Sequence, residues 1–124
     1  MEIKQNDIAV IFEVEPANWQ KQEYLDIATR LVPELEKIKG FISIERFQSI
    51  HNPDKILSLS FWENEEAIKQ WRNLETHRNA QTKGRESIFK DYRIGIVHTV
   101  RDYGMSVRNE APSDSKSFHN GNYE

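Results

Sequence analysis

The segments of this chain that read as strands are apolar on both sides, and this restricts the fold more than any other feature of the sequence. From Ile8 to Glu15 (IAVIFEVE), Val10, Phe12 and Val14 alternate with Ala9, Ile11 and Glu13. The run is rich in β-branched residues, as a strand buried on both faces for most of its length should be. Lys55 to Trp62 (KILSLSFW) sets Leu57, Leu59 and Phe61 on one face and Ile56, Ser58, Ser60 and Trp62 on the other. Helices cover one side of such a sheet, and something further must cover the second.

The intervening sequence supplies the helices. After Pro16 ends the first strand, Asn18 is the expected N-cap of a helix running to Lys39. Tyr24, Ile27, Ala28, Leu31, Val32, Leu35 and Ile38 recur in it at steps of three and four, one apolar stripe over roughly five turns. Pro33 falls inside the stripe and predicts a bend, because it removes a backbone donor; Gly40 is the stop. Phe41 to Ser49 reads as a second strand, joined through the turn Asn52-Pro53-Asp54 to the third as a hairpin. Asn64 is placed to cap a second helix with Glu65 and Glu66 in its first turn and Ala67, Ile68, Trp71 and Leu74 on its buried side. Thr76 predicts a break into two short helices, and Arg85 to Phe89 a further helical turn. Asp91 to Tyr103 is the fourth strand. Gly104 to Glu124, rich in Ser, Asn, Asp and Gly, predicts an irregular or mobile tail, or one lying across a partner subunit.

The order strand, helix, strand, strand, helix, strand is the ferredoxin-like βαββαβ arrangement, an α+β fold with an antiparallel sheet and both helices on one face. It assigns residues 1–103 to one domain and 104–124 to a polar tail. The bare face would expose several hundred Å² of apolar surface, enough to require a partner. Two sheets packed face to face would cover it at ~25 cal/mol per Å² buried, so the expectation is a homodimer closing into a dimeric α/β barrel.

Composition removes several functional classes. The chain has 17 Lys+Arg against 20 Asp+Glu, a formal net charge of -3, which argues against sequence-independent binding of nucleic acid. It has no cysteine, hence no disulfide framework, thiolate zinc site or cysteine nucleophile. His51, His77, His98 and His119 form no H-x-x-x-H pair, and no metal site is expected. No window of ~18 apolar residues predicts a membrane span. Met1 to Gln5 has no secretory pattern, so the expected location is cytoplasmic. Phosphate-binding glycine loops and nucleophile elbows are absent. Glu13 and Glu15 on one strand face read as solvated acids rather than a glycosidase pair. Phe47 and Phe61 lack the surrounding pattern of an RNA-stacking sheet and read as core.

What remains is a cluster between Trp62 and Arg101: Trp62, Trp71, His77, Arg85, Tyr92, Arg93 and His98. Each has an ordinary reading, the indoles as core and the arginines as surface ion pairs. Together, on elements that flank a cavity between helices and sheet, they suit a planar anionic ligand.

Gly40-Phe41-Ile42-Ser43-Ile44-Glu45-Arg46-Phe47, then Ser60-Phe61-Trp62-Glu63-Asn64-Glu65-Glu66-Ala67, then Trp71 and His77-Arg78, resemble the antibiotic biosynthesis monooxygenase (ABM) domain family over about residues 7–103. The resemblance implies the dimeric α+β barrel. It also implies one of three activities: a cofactor-independent monooxygenase using O2 on a small aromatic or quinol-like molecule, a non-catalytic binding protein with the same cavity, or a haem-degrading oxygenase. Haem-degrading members carry an Asn on the first strand, a Trp on the second helix and a His ten residues later. Trp71 matches the Trp, but Gln81 stands in place of that His and Asp7 to Glu15 contains no Asn. Cluster and resemblance together assign His77 as general base, since an unperturbed imidazole titrates near ~6.5. Arg85 or Arg93 would stabilise an oxyanion, Trp62 and Trp71 would wall the ring, and Tyr92 and His98 would complete the pocket. No cofactor is expected on this reading.

Overall fold

Six elements follow one another in a computed structural model: β1 (Ile8–Pro16), α1 (Lys21–Leu35), β2 (Phe41–Gln48), β3 (Ile56–Trp62), α2 (Glu65–Gln81) and β4 (Phe89–His98). The structure describes residues 2–18, 20–81 and 88–115, without the side chains of 75–81. The strands form one sheet in the order β2-β3-β1-β4, and every adjacent pair is antiparallel. This is the α+β, ferredoxin-like order expected from the sequence.

Residues directly opposed in an antiparallel pair point to the same side, so the register assigns the faces. Ile8, Val10, Phe12 and Val14 lie opposite Trp62, Ser60, Ser58 and Ile56, and these form the helix-facing side. One core cluster joins Ile8, Val10 and Trp62 to Leu35 of α1 and to Ala67 and Ile68 of α2, with Ile38, Phe41, Ile44 and Trp71 packed on it. A second joins Phe12, Val14 and Ile56 to Tyr24, with Leu25, Ile88 and Phe89 alongside. Each large side chain fully buried there contributes ~1.5–3 kcal/mol. The serines on this face have a role: buried Trp62 donates its indole N–H to Ser60 Oγ at 2.9 Å, which satisfies a polar group that would otherwise be stranded.

Helix boundaries depart from the sequence reading in places. Asn18 is exposed and does not cap α1; the N-cap is Gln20, with no side-chain hydrogen bond. The helix ends at Leu35, not Lys39. Beyond it the chain tightens into i→i+3 bonds, with Lys37 N–H to Glu34 O, Ile38 N–H to Leu35 O and Phe41 N–H to Ile38 O, which lets Ile38 reach the core. Gly40 closes the turn at φ +100°, and a Cβ there would stand 3.0 Å from Ala67 Cβ. Only glycine meets both demands, since left-handed backbone and close approach to α2 coincide.

Asn64 does cap α2, its Oδ1 accepting the N–H of Ala67 at 2.9 Å. Thr76 starts no second helix, because α2 is continuous from Glu65 to Gln81. β4 stops at His98 rather than Tyr103. Thr99 still exchanges backbone bonds with Asn6 and Asp7, but the Asp102 N–H bonds to the Glu110 carboxylate instead. Residues 104–112 carry no helix or strand and 113–115 enter a helical turn, the segment being tied by hydrogen bonds. Residues 116–124 and the expected turn from Arg85 lie wholly or mostly outside the described residues. No helix among the described residues is long and apolar enough to cross a membrane.

Candidate functional site between the helices and the last strand

Among the described residues, the two clusters on the helix-facing side draw on β1, β2, β3 and both helices, and β4 contributes only Phe89. The rest of β4 on that side lies uncovered. Tyr92, Ile94, Ile96 and His98 oppose Val14, Phe12, Val10 and Ile8, so all four share the face of the core. Tyr92, Ile94 and Ile96 are nevertheless 58%, 50% and 49% exposed. Core-facing aliphatic side chains left half open form an apolar wall with space in front of it. Aromatic rings floor one end: Tyr92 packs on Phe12 with centroids 5.9 Å apart and on Phe89 at 5.8 Å. His98, also exposed, marks the other end.

The proposed site residues divide accordingly. Tyr92 and His98 stand on the uncovered strip. Trp71 is half-buried against the core over β3, 5.7 Å from the Trp62 ring. Trp62 is 0% exposed and locked edge-on to Phe41 at 5.1 Å, so it supports Trp71 from behind and offers no ligand surface itself. Arg93 is on the opposite face. It pairs with Glu13 across the sheet, and Glu13 Oε2 accepts from its Nε at 3.0 Å and from its Nη2 at 2.9 Å. The structure therefore does not bring Arg93 to the tryptophans, for a simple reason: neighbouring residues of a strand point to opposite sides. His77 lies on α2 with its side chain outside the described residues, and Arg85 lies wholly outside them.

Sequence reasoning missed Ile94, Ile96 and Phe12 as components of this wall. The signal was present in the alternation of β4, where Tyr92, Ile94, Ile96 and His98 recur every second residue.

A second, polar cleft of about 250 Å³ sits at the far end of β1, lined by Glu15, Pro16, Ala17, Asn18, Lys21, Asp54 and Lys90. Lys90 contacts Glu15 at 3.2 Å and Asn52 donates to Glu15 at 3.2 Å. These two bonds, the lysine's first, hold the Glu15 carboxyl below its usual range. Lys21, on the same lining, donates to Pro53 O at 3.3 Å. Among the described residues no group of three His, Cys, Asp or Glu side chains could hold a metal.

Comparison with known proteins bears on family and fold. Residues 7–83 match the family model described as antibiotic biosynthesis monooxygenase. A protein of Pyricularia oryzae named jasmonate monooxygenase ABM is 47% identical over 88 residues, covering 71% of this chain. The match spans 41% of that relative's length, so the chain corresponds to less than half of it. A solved structure from Bordetella bronchiseptica, described as a candidate antibiotic biosynthesis monooxygenase, superposes with TM-score 0.60 at 13% identity, over 75% of this chain and 96% of that one. A variant of MhuD, solved with two manganese protoporphyrin IX per active site, superposes with TM-score 0.60 at 17% identity, over 78% of this chain and 98% of that one. At such identities the two structures attest the fold alone.

Proposed function

The chain belongs to the antibiotic biosynthesis monooxygenase family, and on that premise we propose that it is a cofactor-independent monooxygenase acting on a small aromatic or quinol-like molecule. The observation that carries this reading is the uncovered strip of Tyr92, Ile94 and Ile96 on the core-facing side of β4. A flat, largely apolar guest would lie on it, between Trp71 and the Phe12–Tyr92–Phe89 aromatic group, with His98 at one end.

The chemistry asks little of the protein. His77, as general base, removes a proton from the phenol or enol. The resulting anion passes one electron to O2, and the two radicals combine to form a carbon–oxygen bond. The peroxide takes back the proton held by His77, and as its O–O bond breaks the carbon bearing it gives up its hydrogen as a proton; one oxygen stays as a carbonyl and the other leaves with both protons as water, the substrate being the only reductant. Arg85 stabilises the oxyanion. Arg93, engaged by Glu13, is given no part.

Oxygen uptake measured with a quinol panel, with jasmonic acid included because of the Pyricularia oryzae relative, tests the reading. Turnover by the wild type that falls about 10²–10⁴-fold in His77→Ala supports the base assignment. Binding without oxygen-dependent product from any compound would instead identify a carrier. That reading has its own support, because Ile94 and Ile96 bring no acid–base group to the wall. A haem role fits poorly: β1 presents only Ile8, Val10, Phe12 and Val14 toward the helices, and none can hydrogen-bond a bound group. Added hemin that leaves the Soret band unshifted would agree.

The other sheet face supports a homodimer. Its central strands carry Ala9, Ile11, Leu57, Leu59 and Phe61, with Val97 and Phe47 exposed to either side. Gly95, opposite Ile11, leaves a dent with nothing within 4 Å of where a Cβ would sit. A second copy packed there would bury this face.

A further inference from the structure

The turn Asn52-Pro53-Asp54 between β2 and β3 is held from three other elements. Asn52 Oδ1 accepts the Asp54 N–H at 3.2 Å, and Asn52 Nδ2 donates to Glu15 Oε1 of β1 at 3.2 Å. Pro53 O accepts twice, from Gln48 Nε2 of β2 at 2.7 Å and from Lys21 Nζ at the start of α1 at 3.3 Å. These bonds fix the loop as one wall of the polar cleft at the end of β1, which has four charged groups on its lining: Glu15, Lys21, Asp54 and Lys90. Two of them neutralise each other, Lys90 standing 3.2 Å from Glu15. The other two do not. Among the described residues Lys21 makes no ion pair, and its ammonium, which has three donors, bonds only to Pro53 O. No hydrogen bond or ion pair among the described residues engages the Asp54 carboxylate.

We propose that this cleft binds a small zwitterion of amino-acid size, its carboxylate on the Lys21 ammonium and its own ammonium on the Asp54 carboxylate. Charge selects that class. A simple anion would satisfy Lys21 but lie beside an unanswered Asp54, and a simple cation would do the reverse; a molecule carrying both signs answers both. Lys21 is the first residue of α1, whose N-cap Gln20 makes no side-chain hydrogen bond, so the positive end of the helix favours the carboxylate on that side. Size agrees with charge. The volume of about 250 Å³ is below the roughly 300–1,000 Å³ of pockets for drug-sized ligands, and the lining is too polar for the flat guest assigned to the β4 strip. The loop is already fixed by its own bonds, so little ordering is left to oppose binding. This site is independent of the monooxygenase reading, and each stands without the other.

Nuclear magnetic resonance titration of the full chain tests this, with L-alanine as probe and propionate and ethylamine as its two halves, all at constant ionic strength. The amide signals of Ala17, Asn18, Asp54 and Lys90 report the cleft. The expected result is saturable shifts there with alanine, at a dissociation constant at least about tenfold lower than for either half. Lys21→Met should weaken alanine at least about tenfold, and Asp54→Asn should bring alanine to the affinity of propionate. Both side chains lie on the surface of the cleft, and unchanged circular dichroism shows that the variants fold. Propionate binding the wild type as tightly as alanine would overturn the zwitterion, a result that depends on no variant. Cleft amides that show no saturable shift with any of the three probes would overturn the site itself. Alanine affinity unaltered by Lys21→Met would do the same.

Discussion

Trp62 and Ile96 lie on the same side of the same sheet, near the same end, and have opposite fates. Trp62 is closed over by Phe41, Trp71 and α2, with its one polar atom satisfied by Ser60. Ile96, two strands away across β1, is half exposed. The alternation that makes both residues face the helices is identical. The difference lies in what stands above them: among the described residues, the clusters gather α1 and α2 over β2, β3 and β1, and take from β4 only Phe89. A face patterned for burial but not buried is the ground for reading a binding site there.

The comparison is broken most severely at its closed end. Trp62→Ala should cost about 3–5 kcal/mol, since it empties a fully packed site and leaves Ser60 without its donor; chemical denaturation measures this, and a loss below about 1 kcal/mol would refute the closed packing. At the open end Ile94→Trp should change stability by less than about 1 kcal/mol because the side chain has room. The same change should weaken ligand binding at least tenfold, or about 1.4 kcal/mol, by filling the strip. Calorimetric titration reads it, and unaltered affinity would move the site elsewhere. Arg93→Ala, on the reverse face, removes an exposed ion pair worth about 0.2–1 kcal/mol and should leave turnover within about twofold; a hundredfold loss would return Arg93 to the chemistry.

The smallest effect belongs to Glu15. Its carboxyl titrates below the ordinary 4.5 because Lys90 and Asn52 bond the charged form. The stabilisation is therefore complete above the unfolded value and disappears as pH falls below about 4.5 through the folded value. Glu15→Gln should flatten that part of the stability profile and no other, as acid titration followed by fluorescence would reveal.

Much of the fold was legible because it rests on local chemistry. The alternation of Ile56 to Trp62 assigned both faces of β3 correctly, and Asn64 was identifiable as a cap from its place before Glu65, Glu66 and Ala67. Asn18 was misjudged because an N-cap there needs the helix to start two residues earlier than it does. The break at Thr76 failed for a related reason: a capping residue inside a helix is only an opportunity, and α2 continues through it. The candidate site was legible only in part. Grouping Tyr92, Arg93 and His98 by nearness in sequence ignored the two-residue period that sends Arg93 to Glu13 on the far side.

Order and type of elements, the two-sided apolar character of the strands and the family likeness all follow from the sequence itself, since they depend on residue periodicity and on short-range turn and cap chemistry. Which part of the helix-facing side stays open, and that the segment after β4 folds back on Glu110 with Met105 outward, depended on tertiary structure. Both outcomes are set by where α1, α2 and the Gln5 backbone come to rest, through contacts between residues up to 105 positions apart, and no local pattern encodes them.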